Sequence, residues 1–301
     1  MFPSTRTSRW FVAIAGASVF TAALLGAQTA SAANSYPVTP DLAQGIAQSM
    51  PNPAGSPAGV NLASCTPSSA HPDPVVLITG TFGNMIDDWS GLGPTLANAG
   101  YCVYSTPIGG NEHLLIQTIG PVPDSATQIS AFVDQVLAKT GARQVDLVGH
   151  SQGGLIGEYY LKLLGGAPKV HAFVGLSPTT HGTSLNGLAT LAGDFPGANL
   201  IVGAGCPACV DQETGSPVVN AVDNGPIAQQ GVSYTVIETR DEFVVTPAGS
   251  AFIDEPGVTN EWVQTSCPAD TTDHGDLSYD KAVYGLTENA LDPAGAKPVS
   301  C

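Results

Sequence analysis

The sequence predicts an α/β fold with a mostly parallel central sheet flanked by helices, and three observations lead to it. Apolar runs of strand length recur along the chain, each nearly continuous rather than alternating, as strands buried on both faces require. Stretches with a helical period lie between them, so strand and helix alternate. The 301 residues are 43% apolar, with no long polar tract and no internal repeat, which suits one large core.

Taken in order, the strand runs are "VVLIT" (75–79), "YCVYS" (101–105), "VDLVG" (145–149), "VHAFVGL" (170–176) and "VSYTVIET" (232–239). Between the second and third, "DSATQISAFVDQVLAKTGA" sets Ile129, Phe132, Val133, Val136 and Leu137 on one helical face. Asp124 or Ser125 is the expected cap and Gly141 the stop, which makes this a crossover helix. A second helix follows Ser151, with Leu155, Ile156, Tyr159, Leu163 and Leu164 in period before Gly165 and Gly166. Residues 177–231 show only weak periodicity.

The first 32 residues read differently. Arg6 and Arg9 precede a short uncharged apolar run, and Ala30-Ser31-Ala32 follows as an A-x-A cleavage site. This is the pattern of a secretory signal peptide; the run is shorter than the ~20 residues that span a bilayer, so no stable membrane anchor is expected. Its removal takes two of the nine basic residues and no acidic ones, leaving 7 against 25, or −18 from a formal −16. So acidic a chain repels a phosphate backbone, which excludes nucleic acid as a partner. Residues 33–64, rich in Pro, Gly, Ala and Ser, read as an extension, with the folded domain running from Cys65 to residue 301.

Six cysteines in an exported chain imply three disulfides. Cys206 and Cys209 are near neighbours, and no second Cys or His pair stands at zinc-ligand spacing from them. Cys65 precedes the first strand and Cys102 lies in the second, while Cys267 and Cys301 share the C-terminal tail, so they pair in that order.

The segment "VDLVGHSQGGLIGEYYLK" places Ser151 between Gly149 and Gly153, where a buried-type strand gives way to a helix. That is the strand-turn-helix elbow that lifts a strained serine to the top of a sheet, and a side chain at either glycine would collide across the turn. A serine hydroxyl needs a base to take its proton. Of the six histidines, His71 precedes the first strand, His113 lies in a loop, His150 sits on the elbow, His171 opens a strand and His181 follows one. With this elbow the order is Ser, acid, His, the histidine lying beyond the last strand, and His274 in "TTDHGDLSYD" fits.

Together "ITGTFGN", "GYCVYS", "VDLVGHSQGGLIGEYYLK", "GLSPTTHGT", "CPAC", "SYTVIETR" and "DHGDLSYD" resemble the secreted bacterial triacylglycerol lipases of lipase class 2, from about residue 65 to the C-terminus. The resemblance implies an α/β-hydrolase fold, a Ser/acid/His triad, acylglycerol or other ester substrates met at an oil-water interface, and no cofactor; a monomer is expected. Polyester (cutinase-like) hydrolases use the same triad, as do acyltransferases when an alcohol replaces water, whereas a non-catalytic binding module has no reason to keep Ser151 and His274 in order. Family members usually read "HGTFGN" where Thr79 stands here, a departure expected to alter support of the oxyanion loop without removing activity. The oxyanion donors expected are the backbone N–H of Gln152 and that of Thr81, with Phe82 as the alternative to Thr81. For the acid, relatives read "TRYDEVVTP" against "TRDEFVVTP" here. The ungapped register selects Glu242, while matching by identity selects Asp241 and needs an insertion. The stretches 113–122 and 185–205 are each expected to be either a lid or core.

Overall fold

In this computed structural model, which describes residues 1–4, 35–198 and 205–301, six parallel strands form one sheet. They are Val75–Ile78 (β1), Val103–Ser105 (β2), Val145–His150 (β3), Val170–Leu176 (β4), Ser233–Glu238 (β5) and Val258–Trp262 (β6), in the order β2-β1-β3-β4-β5-β6. The first five are the runs expected. The sixth, "VTNEW", carries exposed Thr259 and Asn260, and an edge strand with a solvated face has no continuous apolar run to announce it.

Both faces of the sheet are buried. Val75, Leu77, Val148 and Val174 enter one apolar cluster, and Val76, Ile78, Leu147 and Phe173 enter the other, because successive residues of a strand point to opposite faces. The crossover helix Val122–Thr140 (α4) and the helix Gln152–Leu163 (α5) cover one side through Ile129, Val133, Leu155 and Ile156. On the other side Leu92 and Leu96 of Leu92–Asn98 (α3) pack with Ala282 and Val283 of Lys281–Leu291 (α9). Each fully buried aliphatic side chain contributes about 1.5–3 kcal/mol relative to exposure.

Three expectations need correction. The helix α4 begins earlier than Asp124 or Ser125: Pro121 occupies the cap position and Asp211 accepts the Val122 N–H at 2.8 Å. Its stop is as expected, Gly141 being left-handed at φ 72°. In α5 the buried face includes Tyr160 and Leu161, while Leu163 and Leu164 are exposed at the helix end. The third correction concerns the domain boundary. Leu42–Ser49 forms a helix (α1) capped by Asp41, and it packs against Met85–Trp89 (α2). A Cβ on Gly45 would lie 2.0 Å from the Tyr279 hydroxyl, so only glycine allows this approach. Thr39 donates its N–H to the Ser90 carbonyl, and Asn61 exchanges hydrogen bonds with the Ser105 backbone. The described residues 35–198 and 205–301 therefore form one compact unit, and 35–64 is part of it. The expected signal peptide lies, beyond its first four residues, outside the described residues.

Three disulfides join Cys65 to Cys102, Cys206 to Cys209 and Cys267 to Cys301. Among the described residues, the weakly periodic region holds the short helices Leu185–Leu191 (α6), Pro207–Asp211 (α7) and Pro217–Asp223 (α8). The chain leaves β1 toward β2 on one side and returns through α4 to β3 on the other, so β1 and β3 are neighbours, with Ile78 beside Gly149. A crevice at the carboxyl ends of strands forms where the winding reverses.

Candidate active site

Ser151 stands at that reversal. Its backbone is left-handed at φ 53°, an uncommon conformation for a residue with a Cβ. A Cβ on Gly149 would lie 2.5 Å from the Gly153 carbonyl carbon, and one on Gly153 would lie 2.0 Å from the Ile78 carbonyl oxygen. Both glycines are thus required by the closeness of elbow, helix and β1. Ser151 donates its N–H to the Leu176 carbonyl at 2.9 Å, which ties the turn to β4. The first turn of α5 starts at Gln152, where N–H groups have no intrahelical acceptor.

The loop after β1 lies against the elbow. Thr81 is buried and its hydroxyl donates to Gln152 Oε1 at 2.9 Å; Gln212 Nε2 donates to Thr81 Oγ1 at 2.9 Å, and Thr179 donates to Gln212 Oε1 at 3.1 Å. Thr81 and Gln152 are thus brought together, with Gln212 as a brace. The Gly80 N–H is occupied by Asp88 Oδ2 at 2.6 Å. Phe82, the alternative to Thr81, is left-handed at φ 70°, with its ring in the core and its carbonyl accepting from Gln117. Thr79, where relatives carry histidine, accepts the Trp89 indole N–H at 3.3 Å beneath this loop.

From the loop beyond β6 comes His274, fully buried, with Nδ1 2.8 Å from Glu242 Oε2. The other oxygen, Oε1, accepts the N–H groups of Val244 at 2.6 Å and Val245 at 2.9 Å. Burial alone would raise the Glu242 carboxyl, but the His274 imidazole and those two N–H groups hold it down at about 2. Asp241, the competitor, is exposed. Adjacent residues of an extended loop point in different directions, and here only Glu242 turns inward. Glu238, at the end of β5, takes the N–H groups of Gly249 and Ala251 and fixes the far end of the same loop.

Ser151 Oγ and His274 Nε2 are both buried and have no hydrogen-bond partner among the described residues. A nucleophile–base bond that is unmade in the free protein and tightens when substrate arrives is common in such sites. A narrow cleft reaches Ser151; Gly80, Thr81, Asp88, His150 and Gly275 line it, together with Leu42, Leu191 and Phe195 from outside the strand ends. Of the two stretches expected to be lid or core, 185–205 thus contributes to the cleft, although 199–204 lies outside the described residues. In 113–122, Ile116, Gln117 and Thr118 are buried, with Thr118 bonded to the Gly83 carbonyl.

Sequence reasoning missed Leu42, Gln212 and the pair Asp88–His150. Leu42 belongs to a segment read as an extension; its N–H donates to Asp276 Oδ1 at 2.8 Å. Gln212 carries no motif. His150, read only as an elbow residue, places Nδ1 2.7 Å from Asp88 Oδ1 and Nε2 2.9 Å from the His274 carbonyl.

A family model described as alpha/beta hydrolase fold matches residues 73–199. The chain has the α/β-hydrolase fold. A triacylglycerol lipase of Burkholderia plantarii is 34% identical over 141 residues, 43% of this chain and 37% of that protein. One of Pseudarthrobacter phenanthrenivorans is 37% identical over 113 residues, 36% of this chain and 33% of that protein. The chain thus aligns with about a third of the length of these relatives. Among solved structures, Aspergillus fumigatus lipase B superposes with a TM-score of 0.60 at 19% identity, covering 78% of this chain and 56% of that one.

Proposed function

We propose that this protein is an exported serine ester hydrolase that cleaves acylglycerols or related carboxylic esters through an acyl-enzyme. The single observation that carries the reading is the His274–Glu242 pair, 2.8 Å apart and wholly buried, at a cleft whose floor is a left-handed serine on a nucleophile elbow. Similarity to two triacylglycerol lipases supports the ester class. The three disulfides and the signal-like N-terminus support export.

The chemistry follows from the groups present. His274 Nε2 takes the Ser151 proton as Oγ attacks the ester carbonyl; Glu242 holds the proton on Nδ1 and stabilises the imidazolium. The negative oxygen of the tetrahedral intermediate is held by the N–H groups of Gln152 and Thr81. The proton then passes from His274 to the departing alcohol, and water repeats the cycle on the acyl-enzyme. Nothing in this sequence of steps calls for a cofactor.

Purified protein should hydrolyse p-nitrophenyl butyrate and emulsified tributyrin, and a serine-directed phosphonate should label Ser151 in a 1:1 ratio. Ser151→Ala should lose at least ~10⁵ in turnover while its circular dichroism stays unchanged. Retention of more than a trace of activity by that variant overturns the assignment. Transfer of the acyl group to added alcohol in preference to water would recast the enzyme as an acyltransferase.

A further inference from the structure

A second buried histidine–carboxylate pair lines the cleft, and the triad does not use it. His150 and Asp88 are each about 95% buried. His150 Nε2 faces the His274 carbonyl at 2.9 Å, and a carbonyl can only accept, so Nε2 carries a proton. Nδ1 faces Asp88 Oδ1 at 2.7 Å. The second oxygen of Asp88 accepts the Gly80 N–H at 2.6 Å, on the loop that presents Thr81. One carboxylate and one imidazole therefore join three segments of the chain: the oxyanion loop, the elbow itself and the loop of the base.

We propose that His150 and Asp88 form a charged clamp, the imidazole protonated at both nitrogens, which positions the catalytic base and the oxyanion loop relative to Ser151. The inference rests on the serine-hydrolase reading. Both are positioning residues, since neither lines up with the reacting atoms as His274 does. The charge state follows from the hydrogen bonds. Against an ionised Asp88, a neutral imidazole, which has one N–H, would set a nitrogen lone pair against either the carboxylate or the His274 carbonyl, and one contact would be lost. Burial opposes the charge on His150, yet Asp88 and the bonds at both ring nitrogens hold its pKa above the ordinary value. The other groups in range are Asp87 behind Asp88 on α2, Glu242 beyond His274, and the rings of Trp89 and His274, with centroids 6.4 and 5.0 Å from that of His150. Positioning of this kind matters because a misplacement of ~1 Å can cost on the order of 10² in rate.

Two variants separate charge from contact. In Asp88→Asn the amide oxygen still accepts from Gly80 and the amide N–H can donate to Nδ1, so a neutral His150 satisfies all three contacts. In His150→Phe the ring volume stays and both bonds go.

Hydrolysis by the wild type and its loss in Ser151→Ala are measured first, which tests the triad reading separately. If that loss is absent, the triad reading falls and the clamp with it; if it is present, the later results bear on the clamp alone. The wild type should lose kcat at alkaline pH as His150 gives up its proton. Asp88→Asn should keep kcat within ~10-fold at pH 7 and show no such alkaline limb, its acid limb unchanged. His150→Phe, if folded by circular dichroism, should lower kcat ~10- to 100-fold with KM within ~2-fold. Nitrogen-15 NMR should find both His150 nitrogens protonated at pH 7 in the wild type and one in Asp88→Asn. An alkaline limb identical in wild type and Asp88→Asn, or a single protonated His150 nitrogen in the wild type, overturns the clamp; the NMR result decides the matter even if His150→Phe fails to fold.

Discussion

Glu242, on the loop after β5, and Glu158, in the middle of α5, are the same residue type at opposite ends of the carboxylate range. Both are buried. Glu242 faces an imidazole and two backbone N–H groups and is held at about 2. Glu158 receives one hydrogen bond, from the Thr180 hydroxyl at 2.7 Å, its second oxygen has no partner among the described residues, and burial pushes it up to about 8. What surrounds a buried carboxylate, more than the burial itself, decides whether it carries charge. The protein thus keeps Glu242 ionised and Glu158 close to neutral at pH 7.

The comparison breaks most visibly at Glu242. Glu242→Gln keeps the shape and removes the charge, and on the proposed reaction it should cost on the order of 10⁴ in kcat, as loss of the orienting carboxylate does in the serine-protease template. Chromogenic-ester kinetics would measure it, and a loss under ~10-fold would remove Glu242 from the triad.

The second prediction concerns stability and runs with the opposite sign. Glu158 has a folded pKa raised above the ordinary 4.5, so its contribution is fully present below that value and is lost as pH rises through about 8. Glu158→Gln should therefore match wild type near pH 5 and melt roughly 5 °C higher near pH 9. Thermal scans across that range test it, and a gap independent of pH would mean that Glu158 is not the group titrating. The smallest effect belongs to Asp241→Asn, which replaces an exposed carboxylate and should change kcat by less than ~3-fold. A 10⁴-fold loss there would exchange the roles of the two adjacent acids.

Much of the fold was legible because buried strands write themselves as apolar runs and the elbow as a local pattern around Ser151. The β6 strand was not, since "VTNEW" is half solvated. Glu242 was legible only through register: counting without a gap from Thr239 lands on the residue that turns inward. Leu42, Gln212 and Asp88 were hidden because their partners, Asp276, Thr81 and His150, are 234, 131 and 62 residues away. Pro/Gly-rich composition around α1 further masked a helix whose docking depends on one glycine fitting beneath Tyr279.

Leu42 lines the cleft from a segment far in sequence from Ser151. A protein trimmed to begin at Cys65 would keep Ser151, His274, Glu242, Gln152 and Thr81 but lose one wall of the cleft, the Leu42 N–H to Asp276 and the packing of α1 on α2. On the proposed ester-hydrolase reading, resizing Leu42 alone is expected to change which acyl chains enter, while Ser151, His274 and Glu242 stay untouched.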